Sequence, residues 1–222
     1  GERTFQYWRS DSAAKYLLQH TDFKKVLTSL AEVDAIYLSG ISLAILAEQD
    51  CHTLLSHLAL LKQQGIKIIY DSNYRPALWS SKMHCHLANN KAYALADLAL
   101  VTFDDEAQLW GDSNVAQCTE RLHQQGAHEV VVKLGADGCQ YSKKHLDNSI
   151  SVELFNTVAV EKVIDTTAAG DSFNAGFLAQ WLTEQPIKQC AQAGNLLAAQ
   201  VIQKRGAIVE IDIATIKHTI KA

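Results

Sequence analysis

Hydrophobic residues follow two patterns that alternate along the chain, one typical of strands and one typical of helices. Short runs of β-branched and aliphatic residues predict strands at 34–40, 67–73, 98–103 and 129–135. Between them, segments with helical spacing predict helices at about 50–64, 81–95, 104–111 and 114–125. Gly65, Gly111 and Gly126 are expected to end three of these helices. This alternation of strand and helix favours a mainly parallel sheet covered by helices on both faces.

The last third of the chain changes pattern. The strand EVVVKLG leads into a glycine-containing segment, GADGCQYS, which predicts a hairpin. Further on, residues 163–181 read VIDTTAAGDSFNAGFLAQW. We expect a strand to end at Asp165 and a helix to begin near Ala169 or Gly170, with a final apolar helix at about 187–203.

Polar residues follow the predicted strands. Ligands of open α/β sheets bind outside the carboxyl ends of the strands, so these residues are the first candidates for a site. They are Ser39 and Gly40, Asp71, Asn73 and Arg75, Asp104 to Glu106, Lys133 to Gly138, and Asp165 to Asp171.

The segment Ala168–Asp171 has the composition of an anion site. Small residues at a helix start let backbone amides approach a ligand, and the positive end of the helix favours an anion such as phosphate. A carboxylate at Asp171 is useful beside phosphate if it accepts a proton from an attacking hydroxyl group. The residues alone leave another interpretation equally open, in which Asp171 caps the helix and the small residues permit close packing.

Composition narrows the class of protein. The chain has 222 residues, of which 48% are hydrophobic and 20% charged, with a net charge of -4. These values are typical of one folded domain and provide no basic surface for nucleic acid. Apolar runs are too short to span a membrane. Five irregularly spaced cysteines argue against a disulfide framework and a zinc site. We therefore expect the protein to be located in the reducing cytoplasm. A GxxxxGK[ST] phosphate-binding loop is absent.

The segment DTTAAGDSFNAGF resembles the C-terminal signature of the ribokinase-like, PfkB-type carbohydrate kinases. The segments YLSGISLAIL, DSNYRPALW and VIQKRGAI extend the resemblance over the chain and are similar to family members that act on a 2-keto-3-deoxy sugar acid. The resemblance implies one ribokinase-like α/β domain over 1–222, with a remnant of a β lid at about 1–10. It also implies that the family's N-terminal segment is missing.

The resemblance assigns roles around the glycine-rich turn. Asp171 is expected to be the catalytic base and to contact the substrate, while the amides of Ala168, Ala169 and Gly170 form an anion hole that also binds the nucleotide. Because Ala168 stands where the family commonly has glycine, we expect ordinary backbone dihedrals there. Asp165 and Thr167 fall where relatives bind a monovalent cation such as K⁺; hydrogen bonding that holds the loop is the alternative for Asp165.

Other segments are assigned to nucleotide and substrate in the same way. The nucleotide-binding residues implied by the resemblance are Lys133, Leu134, Gly135, Ala136, Asp137 and Gly138, together with Asn73, Tyr74 and Arg75. Arg75 precedes a proline, so it is expected to be extended, and it is also assigned to the sugar acid. Tyr7 and Arg9 are assigned to the sugar acid as well, and Trp8 to packing.

The segment TFDDEAQLWG corresponds to an NxxE pattern that the family associates with magnesium and phosphate. Glu106 matches the glutamate, whereas Phe103 replaces the asparagine. We expect Glu106 to position Mg²⁺ through water. Asp104 and Asp105 are better explained as favourable charges at a helix start.

The predicted reaction is the ATP-dependent phosphorylation of 2-keto-3-deoxy-D-gluconate to its 6-phosphate, with Mg²⁺. The expected partners are the sugar acid and ATP, without nucleic acid or membrane, and with a homo-oligomer left open. Two alternatives remain: a kinase for another sugar, such as fructose or ribose, and a truncated, inactive nucleotide-binding fragment.

Overall fold

The computed structural model describes residues 12–220. The chain divides into two compact units, Gly1–Glu129 and Val130–Ala222. The expectation of a single domain over 1–222 remains a prediction, and the lid strand expected at about 1–10 lies outside the described residues.

The first unit alternates strands and helices. Its strands are β1 (Ala35–Ser39), β2 (Lys67–Asp71) and β3 (Leu98–Thr102), with β1 parallel to β2 and β2 parallel to β3. Its helices are α1 (Phe23–Leu30), α2 (Gly40–Ala44), α3 (Glu48–Gln63), α4 (Lys82–Leu95), α5 (Phe103–Trp110) and α6 (Val115–Gln124). Short 3₁₀ turns occupy Ala13–Gln19 and Pro76–Leu78.

Local signals explain where these helices begin and end. Ser81 caps α4 by accepting from the His84 amide, and Asn114 caps α6 by accepting from the Gln117 amide. Gly65, Gly111 and Gly126 all have positive φ, at 94°, 84° and 109°, and follow α3, α5 and α6. Since a left-handed residue ends many helices, the three expected helix ends are confirmed.

The core of the first unit lies on β2 and β3. Ile68 and Ile69 are almost completely buried, as are residues 98–101 of β3. At the amino end of β3, Asp97 pairs with Lys62 at 2.7 Å and accepts from the Ile68 amide at 2.7 Å. The continuous apolar pattern of β3 therefore corresponds to a strand buried on both faces, as parallel sheets require.

The second unit begins within β4 and ends in three helices. β4 (Glu129–Lys133) is followed by a 3₁₀ turn at Gly135–Asp137, β5 (Cys139–Lys144) and β6 (Ile150–Phe155). β5 and β6 are antiparallel, with Cys139 opposite Phe155 and Lys144 opposite Ile150. The helices are α7 (Ala169–Trp181), α8 (Ile187–Val201) and α9 (Ile213–Thr219).

The strand expected to end at Asp165 does not form. Val163 and Ile164 are 52% and 42% exposed, and residues 162–166 have no regular secondary structure. Instead, the amides of Ile164 and Asp165 both donate to the carbonyl of Ile202, at 2.8 and 3.1 Å. The β-branched residues therefore precede an irregular segment whose hydrogen bonds go to the turn after α8.

Glycines permit close contact between α7 and α8. A Cβ added to Gly176 would lie 2.5 Å from the carbonyl oxygen of Ala193. A Cβ added to Gly194 would lie 2.9 Å from an edge carbon of Phe173. Ile216 of α9 and Ile220, just after that helix, pack against Ala193, which completes a buried cluster.

All five cysteines are free and buried. Burial raises the pKa of Cys51 to about 11 and those of Cys85 and Cys139 to about 12. These three thiols therefore remain protonated near neutral pH.

Between residues 12 and 220, no helix is long and apolar enough to cross a membrane.

Candidate active site

The turn into α7 contains an unusual alanine. Ala168, the residue before the helix, has φ 59° and ψ 19°, in the left-handed region. The expectation of ordinary dihedrals at this position is therefore wrong. The chain reverses sharply here, with the Ala169 amide donating to the carbonyl of Thr166 at 3.1 Å, and the first helical bond already runs from the Ser172 amide to the Ala168 carbonyl. The turn imposes this conformation although alanine is not suited to it.

The first turn of α7 has the donors that an anion site needs. Early amides of a helix have no acceptor within the helix, and those of Gly170 and Asp171 belong to this group. The Ala169 amide donates to Thr166 instead, so it is not available in this conformation. Asp171 is exposed, which leaves its carboxylate accessible beside these amides.

Asp165 holds the loop that precedes α7. It is 4% exposed, and its two carboxylate oxygens accept from the amides of Thr167 at 2.9 Å and Gly206 at 2.6 Å. The loop-holding alternative is thus observed. The K⁺ assignment for Asp165 and Thr167 stays a prediction.

The segment Lys133–Gly138 forms a tight turn between β4 and β5. The Leu134 amide donates to the Gly138 carbonyl at 2.8 Å, which closes the turn. A Cβ on Gly138 would lie 2.1 Å from the carbonyl oxygen of Phe155, so only glycine fits. Gly135, Ala136 and Asp137 are exposed, while Lys133 is 6% exposed. The expected hairpin is confirmed, and its nucleotide-binding role stays a prediction.

Lys133 contacts the first turns of α7. Its ammonium group donates to the side-chain oxygen of Asn174 at 3.1 Å and lies 3.5 Å from where a Cβ of Gly170 would be. Asn174 is 2% exposed. Sequence reasoning missed Asn174, although a polar side chain four residues after Gly170, within an apolar helix, was a usable signal.

In the first unit, the segment after β2 is strained. Asn73 has φ 33°, and its amide donates to Asp71 at 3.0 Å. The buried side-chain oxygen of Asn73 has no hydrogen-bond partner in the described structure. Arg75 is extended, as expected before Pro76, with φ −132° and ψ 94°. Its side chain is 48% exposed and lies 3.4 Å from a carboxylate oxygen of Asp105.

Glu106 is enclosed within a network of charged residues. It is fully buried, and its two oxygens accept from the Tyr93 hydroxyl at 2.7 Å and from Arg121 at 2.8 Å. Arg121 also binds Asp112 and stacks over Trp110, with the guanidinium carbon 4.9 Å from the ring centre. Burial raises the pKa of Glu106, and Arg121 opposes that rise.

Within this network, Glu106 has protein partners in place of a metal ion. Glu106, Asp112 and Cys118 are close enough together to suggest a metal cluster, but the cation that they already contact is Arg121. Both oxygens of the buried Glu106 carboxylate accept from protein donors, so a hydrated Mg²⁺ ion would contact Glu106 only if these side chains rearrange. The assignment of Mg²⁺ to Glu106 stays a prediction. Sequence reasoning missed Arg121 and Asp112 because spacing alone does not show that they meet Glu106.

The sequence assigns three residues to a substrate strand near the start of the chain. Tyr7, Trp8 and Arg9 lie outside the described residues. Their roles remain predictions.

Known proteins resemble this chain in sequence and in structure. A fructokinase from Vibrio cholerae, solved with fructose, ADP and a calcium ion, superposes with a TM-score of 0.73 at 23% identity, covering 84% of this chain and 60% of that one. A 2-dehydro-3-deoxygluconokinase of Haemophilus influenzae is 46% identical over 221 residues, 98% of this chain and 68% of that protein. One from Dickeya dadantii is 44% identical over 216 residues, 96% of this chain and 68% of that protein.

The structural similarity defines the class, and the predicted fold is confirmed: the molecule is a ribokinase-like α/β protein. Residues 1–214 match the profile described as pfkB family carbohydrate kinase. The chain therefore belongs to the pfkB family of carbohydrate kinases.

Proposed function

We propose that this protein transfers the γ-phosphoryl group of ATP to the terminal hydroxyl of 2-keto-3-deoxy-D-gluconate, forming the 6-phosphate. The observation that carries the proposal is the first turn of α7, where Asp171 is exposed beside amides without helical acceptors. The names of the two relatives at 44% and 46% identity support the choice of substrate.

The reaction needs a proton acceptor and a site for negative charge. As the substrate hydroxyl attacks, an O–P bond forms to the γ-phosphorus, and the bond to the bridging oxygen of the departing ADP breaks. Asp171 takes the hydroxyl proton as general base. The amides of Gly170 and Asp171, at the positive end of α7, stabilise the charge on the transferred phosphoryl group.

Mg²⁺ bound to the nucleotide would supply positive charge that offsets the charge of the phosphates. Arg75 is our candidate for the substrate carboxylate, because its side chain is 48% exposed and its contact with the Asp105 carboxylate is long, at 3.4 Å. The same guanidinium also donates to the carbonyl of Tyr74 at 2.6 Å. This preference for an acid distinguishes the proposed substrate from neutral sugars.

Replacing Asp171 with asparagine tests the proposal. Asp171→Asn keeps the shape of the side chain but removes the proton acceptor, so kcat should fall by about 10²- to 10⁴-fold. The affinity for ADP, measured by calorimetry, should stay within about twofold because the amides remain. Phosphorylation is followed with 2-keto-3-deoxy-D-gluconate, fructose and ribose as separate substrates.

Asp104→Asn is the matched control. Asp104 is also exposed and also lies in the first turn of a helix, α5. Its substitution should leave kcat unchanged. Unchanged turnover in Asp171→Asn would remove Asp171 as the base, and faster turnover of fructose or ribose by the unmodified protein would refute the sugar-acid assignment.

A further inference from the structure

We propose that Lys133 neutralises charge on the transferred phosphoryl group, and that Asn174 is a positioning residue that holds the Lys133 ammonium at the first turn of α7. This inference rests on the proposed function, since it assigns a partner to the phosphoryl group at the same site.

Lys133, Gly170 and Asn174 lie close together at the start of α7. Lys133 is the last residue of β4 and donates to Asn174 at 3.1 Å. Its ammonium lies 3.5 Å from the Cβ position of Gly170. Gly170 and Asn174 are four residues apart on α7 and therefore face the same side of the helix. The 3.5 Å distance is an ordinary van der Waals contact, so the ammonium lies against the first turn of α7, where Asn174 accepts a hydrogen bond from it.

The electrostatics of this arrangement suit an anion. Lysine is rarely so deeply buried, yet Lys133 is 6% exposed. The helix start beside it carries partial positive charge of the same sign. A bound phosphoryl group interacts favourably with both. Asn174 accepts from the ammonium through a neutral amide oxygen, so this hydrogen bond itself brings no negative charge to Lys133.

The chemistry assigns Lys133 a purely electrostatic role. The O–P bond to the sugar forms, the bond to ADP breaks, and the sugar proton goes to Asp171. Lys133 stays protonated throughout and donates hydrogen bonds to oxygens of the phosphoryl group. Such an interaction strengthens as the phosphoryl group approaches the first turn of α7, so it lowers the barrier more than it tightens ground-state binding.

Lys133→Met tests the position of the charge. We expect kcat to fall by about 10²- to 10³-fold, as for the loss of one preorganised donor. Binding is measured by calorimetry with ADP and with a non-hydrolysable ATP analogue. The affinity for the analogue should fall at least about tenfold, whereas ADP, which lacks the transferred group, should bind within about twofold of the unmodified protein.

Asn174→Asp tests the positioning role separately from stability. Aspartate has the same shape and still accepts from Lys133, but it neutralises the ammonium. We expect thermal stability to be retained while kcat falls by about tenfold or more and affinity for the ATP analogue falls with it. Asn174→Leu should also lower kcat, because the ammonium loses its fixed direction.

Asn195→Leu is the control for a buried asparagine in the same unit. Asn195 is 5% exposed, lies on α8 and donates to the carbonyl of Asn156 at 3.3 Å. We expect this variant to lose stability but to keep its kcat per folded molecule.

The results separate the inference from the proposed function. Lys133 does not act on the transferred group if Lys133→Met keeps kcat within about threefold of the unmodified protein. The same conclusion follows if its affinities for ADP and for the ATP analogue fall by equal factors. The same holds for Asn174 if Asn174→Asp retains full kcat. Should these variants remain active while Asp171→Asn is inactive, only this inference fails. If Asp171→Asn is fully active, the proposed function itself fails.

Discussion

At the scale of single residues, Ala168 shows how the turn into α7 overrides local preference. A left-handed backbone costs an L-residue about 1–2 kcal/mol, whereas glycine adopts it freely. Ala168 nevertheless has φ 59°, because the bonds from Ala169 to Thr166 and from Ser172 to Ala168 close the turn around it. The conformation is therefore maintained by the bonds on either side of the residue.

Ala168→Gly should relieve this strain. The gain is partly offset by the greater freedom of glycine in the unfolded chain, so we expect the free energy of unfolding to rise by about 0.5–1 kcal/mol. Urea denaturation measures the change. Ala169→Gly is the control, because Ala169 is the first residue of α7 and has no left-handed backbone, so glycine there should lower stability by up to about 1 kcal/mol. If both variants lose the same free energy of unfolding, the left-handed backbone of Ala168 does not carry this strain.

At the scale of elements, the contact between α7 and α8 depends on a small residue. Helix propensity alone predicts that Gly176→Ala stabilises α7 by about 1 kcal/mol. The added methyl group would lie 2.5 Å from the Ala193 carbonyl oxygen, so the helices must separate. Overpacking of this kind costs about 1–3 kcal/mol, and we expect a net loss in thermal denaturation.

Ala175→Gly in the same helix measures the effect of helix propensity without a change in packing. Ala175 is exposed, so its replacement should cost about 1 kcal/mol without changing a packed contact. A Gly176→Ala variant more stable than the unmodified protein would show that α7 and α8 do not need the glycine.

Hydrophobic period and glycine position predicted most elements of this molecule. β3 is an uninterrupted apolar run, and Gly111 marks the end of α5, so both follow from local rules. The prediction of a strand before Asp165 was wrong, because β-branched residues favour a strand only where a neighbouring strand can pair with them. The Glu106–Arg121–Asp112 network depends on contacts between separate elements, which no local pattern reports.

The candidate site was predictable to a similar degree. The small residues and Asp171 follow from the rules for helix starts, and the resemblance supplied their roles. The left-handed Ala168 was not predictable, since it depends on how the preceding loop is tied to Gly206 and Ile202. The contact between Lys133 and Asn174 joins residues 41 positions apart in the sequence.

At the scale of the whole molecule, nucleotide binding should change the protection of the backbone selectively. We expect saturating ADP to slow hydrogen exchange at residues 134–138 and 168–172, because bound phosphates occupy or shield those amides. Mass spectrometry of exchanged peptides measures the effect. The exposed turn at 146–149 is the internal control and should exchange at the same rate with and without ADP. Protection confined to that turn would contradict the nucleotide assignment.

The buried cysteines have a practical consequence for such experiments. Reagents that alkylate thiols attack the thiolate form, and the three pKa values of about 11 to 12 leave little thiolate in the folded protein. Unfolding exposes all five sulfur atoms together with their ordinary reactivity. The rate of cysteine labelling by a maleimide would thus report how often the native chain opens, with no engineered probe required.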